Sequence, residues 1–174
     1  MKKALFLDRD GVINVEKDYL YKVEDFEFID GIFELCKYFV SKGYLIFVVT
    51  NQSGIARDYY SVHDFNILTK WMTKQFLINN IEIAKVYYCP HHPDITGSCK
   101  CRKPKPQMFL DAKDEFDIDM SNSIMIGDKQ RDIDAAYNAG LKESYLFDEF
   151  HKVNESNATQ IVNKLEDIYS DNTK

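Results

Sequence analysis

The chain has 174 residues, of which 45% are hydrophobic and 14% aromatic, and its formal net charge is −6. This length suits one well-buried domain, and the apolar content excludes a disordered chain. The negative charge argues against sequence-independent binding of nucleic acid, and no apolar run is long enough to span a membrane. The first strand begins so close to Met1 that no signal peptide is expected. We therefore predict one cytoplasmic domain over residues 1–170, monomeric by default, with a flexible tail over residues 170–174.

The first predicted strand, over residues 4–7, ends in two carboxylates, Asp8 and Asp10. Side chains two residues apart in an extended segment project to the same side, and open α/β sheets bind ligands at the carboxyl ends of their strands. Repulsion between the two acids is relieved by a bound cation or by a retained proton. A carboxylate nucleophile beside a general acid–base, with Mg²⁺ present, would suit phosphoryl transfer. An Asp-rich turn at the end of a strand is the alternative for so short a pattern.

The next helix and strand bring small polar groups to the same edge of the sheet. Apolar periodicity predicts a helix over residues 31–42, capped by Asp30. The strand that follows, over residues 44–49, ends in Thr50 and Asn51, whose hydroxyl and amide suit phosphate oxygens. An ordinary polar loop is the alternative.

Arg57 follows this loop as a candidate phosphate ligand, although an isolated Arg is usually a solvated surface charge. Ser61 then begins a helix that runs to about residue 79. The apolar stripe of this helix has helical spacing and is most simply part of the core.

A cluster of soft ligands follows the third predicted strand, which covers residues 83–88. Cys89 and His91 alternate along extended chain, as do Cys99 and Cys101, and the two limbs can turn towards each other near Gly97. In a reducing compartment such a set favours a tetrahedral Zn²⁺ site over disulfides. With four protein ligands the ion has no open position, so we expect a structural zinc loop over residues 89–101. His92 is the alternative to His91, which the alternation favours.

Basic and acidic groups complete the predicted site. Arg102 and Lys103 belong to a cluster of three cations held extended by prolines, which suits a substrate rich in phosphate. A helix is predicted over residues 106–116. A fourth strand then leads into Asp128, and Asp132 follows one helical turn later. Beyond it we predict a helix over residues 131–139, a last strand over residues 144–147 and a C-terminal helix that ends near residue 169.

Together, four segments resemble the motifs of the haloacid dehalogenase (HAD) superfamily of phosphatases. They are Leu7-Asp-Arg-Asp-Gly-Val12, Val49-Thr-Asn-Gln-Ser-Gly-Ile55, Arg102-Lys-Pro and Gly127-Asp-x-x-x-Asp132. More narrowly, Thr50-Asn-Gln-Ser-Gly-Ile-Ala-Arg57 and Tyr87-Tyr-Cys-Pro-His-His-Pro93, with the closing Cys-x-Cys-Arg-Lys-Pro, resemble the D-glycero-D-manno-heptose 1,7-bisphosphate 7-phosphatases. The similarity extends to about residue 147.

The resemblance implies an α/β fold, with a doubly wound, mainly parallel sheet and helices on both faces. It also implies that Asp8 is the nucleophile and Asp10 the general acid–base. Mg²⁺ would be held by Asp8, Asp128 and the main-chain carbonyl of Asp10. The resemblance also implies that Thr50 and Lys103 hold the phosphoryl group. Asp132 would orient Lys103 or a metal-bound water. The rest of the sugar phosphate would be bound by Asn51, Arg57 and Arg102.

The segments between these motifs are too short for a separate cap domain, so the site should be open. The resemblance implies removal of the 7-phosphate of a heptose 1,7-bisphosphate, a step in nucleotide-heptose synthesis for surface polysaccharide such as lipopolysaccharide. Histidinol-phosphate phosphatase and a non-catalytic phosphosugar-binding protein are the two alternatives. Glycine commonly follows Arg57 and precedes Met108 in the family, whereas this chain has Asp58 and Gln107.

Overall fold

A computed structural model describes residues 1–170 of the chain. Six parallel strands form one sheet, in the order β3-β2-β1-β4-β5-β6. The strands are β1 (Lys3–Leu7), β2 (Tyr44–Asn51), β3 (Ile83–Cys89), β4 (Ile124–Gly127), β5 (Glu143–Phe147) and β6 (Gln160–Val162). The helices are α1 (Ile32–Ser41), α2 (Val62–Ile78), α3 (Pro93–Thr96), α4 (Gln107–Phe116), α5 (Gln130–Asn138) and α6 (Asp167–Ser170), with 3₁₀ turns at Val23–Asp25 and Met120–Asn122. None of these helices within residues 1–170 is both long and apolar enough to cross a membrane.

Helices cover both faces of the sheet, and the apolar run of β1 shows why. Leu5 and Leu7 point to one face, into a core shared with α1 and α2. Ala4 and Phe6 point to the other face, into a core shared with α4 and α5. All four side chains are fully buried, and burial of each large one contributes about 1.5–3 kcal/mol. The predicted doubly wound α/β fold is therefore confirmed.

The reversal of winding direction places the carboxyl ends of β1 and β4 side by side. The chain moves from β1 outward to β3, and then returns to the other side of β1 and moves outward from β4 to β6. Leu7 pairs with Ile126, and the main-chain N–H of Asp8 donates to the carbonyl of Ile126 at 3.0 Å. Such a switch point is where open α/β sheets bind ligands. The connections on either side of β2 hold one main helix each, so there is no cap domain.

The two predicted helix caps have different outcomes. Ser61 caps α2, because its hydroxyl accepts from the main-chain N–H of Asp64 while the Asp64 carboxylate accepts from the N–H of Ser61. The predicted cap at Asp30 is wrong. Gly31 is the N-cap of α1, with φ 81°, and no side chain caps this helix end. The left-handed turn into α1 requires a glycine and turns the preceding residue away from the helix end.

The predicted C-terminal helix is also wrong. Residues 160–162 form β6, which pairs with β5 through Tyr145↔Gln160 and Phe147↔Val162, so β5 is not the last strand. The only helix that follows within the described chain is the single turn α6. Ile161 and Val162 are β-branched, and their strand satisfies the backbone groups of β5 that would otherwise form an open edge. Apart from Ser170, the predicted tail over residues 170–174 lies outside the described residues.

Candidate active site

A buried lysine lies between two acids at the switch point. Lys103 Nζ lies 3.0 Å from Asp8 Oδ1 and 2.9 Å from Asp132 Oδ1, and it donates to the carbonyl of Val49 at 2.8 Å. Asp8, Lys103 and Asp132 are all almost completely buried. They come from the end of β1, the loop before α4 and the first turn of α5. The structure thus brings together three of the residues that the sequence predicted for the site.

The acids Asp8, Asp128 and Asp132 lie around one fully buried cation, Lys103, and burial disfavours the negative charge that is left unbalanced. Burial raises the pKa of Asp8 well above its usual range, although the ammonium of Lys103 opposes the rise, and the carboxylates of Asp132 and Asp128 add to it. Burial also raises the pKa of Asp128, to about 6. Burial alone would lower the pKa of Lys103, but its two carboxylate partners outweigh that effect and raise it. A divalent cation would remove the excess charge.

The same acids form a candidate magnesium site. Oxygens of Asp8, Asp128 and Asp132 all lie within 4.8 Å of one another. Asp128 Oδ1 is buried without a hydrogen-bond partner among residues 1–170, while its Oδ2 pairs with Lys129 at 2.8 Å. Carboxylate oxygens with unbalanced charge are the ligands that Mg²⁺ prefers, so these residues fit the ion. The predicted share of the Asp10 main-chain carbonyl stays a prediction.

Two glycines allow the acids to approach. A Cβ at Gly11, where φ is +87°, would lie 2.4 Å from Asp128 Oδ2. A Cβ at Gly127 would lie 2.3 Å from Asp132 Cβ. Real Cβ atoms do not come so close to other heavy atoms, so side chains at these positions would push the two acids out of the cluster.

Asp10 lies next to this cluster and accepts hydrogen bonds from three side chains. Arg9 Nη2 donates to Oδ1 at 2.9 Å, Asn14 Nδ2 to Oδ1 at 3.1 Å, and Gln52 Nε2 to Oδ2 at 3.0 Å. Arg9 is 1% exposed, and its Nη2 also donates to the carbonyl of Leu20. None of these three donors was predicted from the sequence. The residues around Arg9 do not predict its burial, because the segment that covers it is the loop that carries Leu20.

The residues after β2 have contacts that the sequence did not predict. Thr50 is buried, and its hydroxyl accepts from Gln52 Nε2 at 2.8 Å. The side chain of Asn51 accepts from the main-chain N–H of Lys103 at 3.0 Å and donates to its carbonyl at 3.2 Å. Asn51 therefore fixes the Lys103 loop against β2. Its predicted contact with substrate stays a prediction.

The predicted zinc ligands come together. The Sγ atoms of Cys89, Cys99 and Cys101 and Nδ1 of His91 all lie within 4.8 Å of one another, with the Sγ atoms of Cys89 and Cys99 3.6 Å apart. The separation of 3.6 Å suits two sulfur ligands of one tetrahedral ion, and three thiols with one imidazole are a donor set that Zn²⁺ prefers, so the set fits Zn²⁺. All four cysteines of the chain are free, and Gly97 makes the turn with φ 78°. His92 is not in the group, because its Nε2 lies 2.9 Å from Arg57 Nη2.

A cavity of about 250 Å³ opens above Asp8 and Asp10. Cations line it, including Arg57, Arg102 and Arg131. The zinc loop holds two of them, since Arg57 contacts His92 and Arg102 Nη1 donates to the carbonyl of His91 at 3.2 Å. A small, polar, cation-lined cavity suits a compact anionic ligand.

The doubly wound sheet, the paired acids after β1, and the lysine and acids at the neighbouring strand ends define a HAD-like hydrolase without a cap domain. The HAD-hydrolase-like family model matches residues 100–168. The D-glycero-alpha-D-manno-heptose-1,7-bisphosphate 7-phosphatase of Campylobacter jejuni is 57% identical over 150 residues, which cover 86% of this chain and 85% of that protein. The D-glycero-beta-D-manno-heptose-1,7-bisphosphate 7-phosphatase of Vibrio cholerae is 45% identical over 175 residues, 96% and 94% of the two chains.

A solved structure is also similar. The D,D-heptose 1,7-bisphosphate phosphatase of B. bronchiseptica, complexed with magnesium and phosphate, superposes with a TM-score of 0.83 at 27% identity and covers 95% of each chain. This chain therefore belongs to the D-glycero-D-manno-heptose-1,7-bisphosphate 7-phosphatase family of HAD-like hydrolases.

Proposed function

We propose that this protein hydrolyses the 7-phosphate of D-glycero-D-manno-heptose 1,7-bisphosphate in nucleotide-heptose biosynthesis. The observation that carries the proposal is the buried contact of 3.0 Å between Lys103 Nζ and Asp8 Oδ1, on the floor of a cation-lined cavity that also holds Asp10. The lysine stabilises charge both on the attacking carboxylate and on the phosphoryl oxygens that approach it. The names of the two relatives support the choice of substrate.

In the first step, a carboxylate oxygen of Asp8 attacks phosphorus. The bond from phosphorus to O7 of the sugar breaks, and O7 takes a proton from Asp10, so the products are the sugar alcohol and an aspartyl-phosphate. Lys103 remains paired with the phosphoryl group during transfer.

In the second step, water attacks the phosphorus of the aspartyl-phosphate. Asp10, now ionised, takes a proton from this water, and the bond from phosphorus to Asp8 breaks to release inorganic phosphate. Asp10 is protonated again at the end, as the next cycle requires. Arg9, Asn14 and Gln52 keep its carboxyl group directed at the cavity throughout.

Asp8 and Asp128 would hold Mg²⁺, with the Asp10 main-chain carbonyl as a third protein ligand. When bound, the ion supplies positive charge that offsets the repulsion between acids and phosphate. Asp132 would orient Lys103, which it contacts at 2.9 Å. The structure of the B. bronchiseptica protein with magnesium and phosphate supports this assignment.

Zn²⁺ would be held by Cys89, His91, Cys99 and Cys101 and would order the loop over residues 89–101. That loop contacts Arg57 and Arg102, which we assign to the part of the substrate that carries the second phosphate. Thr50 completes the phosphoryl end of the site with Lys103, and we assign Asn51, like the two arginines, to the rest of the sugar phosphate. A heptose bisphosphate can then bridge the catalytic acids and the two guanidinium groups.

The test measures phosphate release with and without Mg²⁺ from four separate substrates. They are the two anomers of heptose 1,7-bisphosphate, histidinol phosphate and fructose 1,6-bisphosphate. We expect a preference for the α anomer, since the relative named for that anomer is 57% identical, whereas seven relatives named for the β anomer are 39–45% identical. A preference for histidinol phosphate would be consistent with the aspartyl-phosphate mechanism but would contradict the assignment of heptose bisphosphate as the substrate. Phosphosugar binding without turnover would reject the mechanism.

A further inference from the structure

We propose that Gln52 is the positioning residue of the acid–base carboxylate Asp10, and that the Tyr60 hydroxyl fixes the direction of the Gln52 amide. The inference rests on the proposed function only in taking Asp10 as the group that exchanges the proton. It adds two residues whose contribution acts through Asp10 and not through the substrate.

Gln52 is placed so that both hydrogens of its amide are used. It follows β2 directly, is 3% exposed, and its main-chain N–H donates to the carbonyl of Cys89 at 2.8 Å. Its Nε2 donates to Asp10 Oδ2 at 3.0 Å and to Thr50 Oγ1 at 2.8 Å. The amide therefore connects the acid–base carboxylate to the rigid end of a central strand.

The direction of this amide depends on Tyr60. The Tyr60 hydroxyl donates to Gln52 Oε1 at 2.5 Å, and burial raises the pKa of this phenol to about 12, so it stays a donor at neutral pH. A flipped amide would turn Oε1 towards the Asp10 carboxylate and would lose the bond from Tyr60. Only one orientation satisfies all three partners, and it points the donor at Asp10.

The backbone makes room for the tyrosine. Tyr60 is 7% exposed, and its ring stacks on Tyr21 with centroids 5.4 Å apart. A Cβ at Gly54 would lie 2.2 Å from Tyr60 Cε1, so only glycine lets the ring reach Gln52. The ring is thus held from two sides, and its hydroxyl has a defined position.

The two oxygens of Asp10 are held by different partners. Arg9 and Asn14 both donate to Oδ1, while Oδ2 accepts from Gln52 and from Arg9 Nη2 at 3.0 Å. Without the Gln52 donor, Oδ2 keeps only the bond from Arg9 Nη2, which is shared with Oδ1, so this oxygen can move while Oδ1 stays held by Arg9 and Asn14. Proton transfer needs a heavy-atom separation of about 2.6–3.2 Å, and a displacement of about 1 Å can lower the rate 100-fold.

The test uses two variants, Tyr60→Phe and Gln52→Glu, and the control Tyr137→Phe at an exposed residue of α5. Tyr60→Phe removes only the hydroxyl, and Gln52→Glu keeps the shape while it replaces the donor near Asp10 by an acceptor. With the heptose bisphosphate, we expect kcat to fall about 10-fold and about 100-fold respectively, while KM changes less than about twofold. The control should match the parent protein.

A second substrate separates positioning of Asp10 from a general structural defect. Nitrophenolate leaves without being protonated, so formation of the aspartyl-phosphate from p-nitrophenyl phosphate does not need Asp10, whereas its hydrolysis does. In rapid-mixing measurements, both variants should keep the parent rate of the first turnover and show slower later turnovers. An equal loss in both phases, or an unchanged kcat with the heptose bisphosphate, would overturn the proposal.

Two further outcomes concern the folding of one variant and the activity of the parent protein. If Gln52→Glu does not fold, Tyr60→Phe decides, because its ring still packs on Tyr21. If the parent protein releases phosphate from no substrate, the proposed function itself fails, and this outcome is distinct from equal loss in the variants.

Discussion

Lys103 Nζ lies 3.0 Å from Asp8 Oδ1, and both side chains are almost fully buried. Ninety-four residues lie between them along the chain, yet they share the carboxyl edge of the sheet because the Lys103 loop is attached to β2 through Asn51. The contact therefore serves both stability and catalysis. The ammonium group that stabilises the buried acids also stabilises charge on a phosphoryl group during transfer.

Lys103→Met is expected to lower activity at least 1,000-fold and the free energy of unfolding by about 3–5 kcal/mol, because it leaves the two buried acids Asp8 and Asp132 without their cation. Phosphate release and urea unfolding measure the two effects. Lys113→Met, at an exposed position on α4, should change neither. Parent-like stability of the Lys103 variant would contradict the assigned charge balance.

Asp10→Asn should reduce turnover by about 1,000-fold or more, because an amide can neither give nor take the proton. It should also lower the free energy of unfolding by about 1–3 kcal/mol, since Arg9, which is 1% exposed, loses its counter-ion. Binding of Mg²⁺, measured as the rise in unfolding temperature, should remain, because the Asp10 side chain is not an assigned ligand. A variant with near-normal turnover would refute the acid–base role.

Stabilisation by Mg²⁺ should be larger at about pH 7.5 than at about pH 5. Burial raises the pKa of Asp128 to about 6, so between the ordinary value of 3.8 and this value the metal-free folded chain binds more protons than the unfolded chain. Its free energy of unfolding therefore falls as the pH rises, and the ion reverses that loss by binding the ionised acids. Unfolding temperatures at both pH values, in magnesium-free buffer and with added Mg²⁺, check this.

The variant Asp128→Asn is the control for that experiment. It should respond less to Mg²⁺ at both pH values and with a smaller difference between them, because it lacks one metal ligand and one of the two ligands whose pKa burial raises. The difference that remains comes from Asp8. Chelators that also strip zinc must be avoided. An equal response of the parent protein at both pH values would contradict the prediction.

Cys101→Ser should lose bound zinc and raise KM for the heptose bisphosphate by about 10-fold or more, because the loop it orders holds Arg57 and Arg102. The effect on kcat should be smaller, since Asp8 and Lys103 lie outside the loop. Elemental analysis and steady-state kinetics measure these changes. Cys36→Ala, on the buried face of α1, should lose stability and keep one zinc per chain. If elemental analysis found no zinc in parent protein purified without a chelator, the metal assignment would be refuted.

Asp58→Gly is expected to raise the free energy of unfolding by about 0.5–1 kcal/mol, because Asp58 has φ 56°, in the left-handed region that glycine adopts without strain. The matched control is Asp30→Gly at an exposed residue whose φ is not positive; there the added freedom of the unfolded chain should lower stability by a similar amount. Urea unfolding compares the two. A loss at Asp58 as large as that at Asp30 would contradict the strain argument.

Local pattern was enough for the buried parallel strands and for the positions of the strand-end acids, whereas the doubly wound arrangement was implied by the family resemblance. Apolar runs such as residues 4–7 are confirmed as strands buried on both faces, and parallel strands necessarily bring their carboxyl ends to one edge. The zinc ligands were equally accessible, because Cys89, His91, Cys99 and Cys101 lie within thirteen residues and the alternation of extended chain orients each pair. In both cases the information is short-range.

Long-range contacts decided the rest. The strand β6 exists because the open edge of β5 offers backbone partners to residues 160–162, which outweighs the helical periodicity of the segment. Likewise, Arg9 is buried by a loop, and Gln52 acquires its direction from a tyrosine eight residues away. Which chemical groups stand at the edge of the sheet follows from the order of residues along the chain. Which of those groups touch follows from the folded arrangement, because burial and hydrogen-bond partners depend on segments that are distant in the chain.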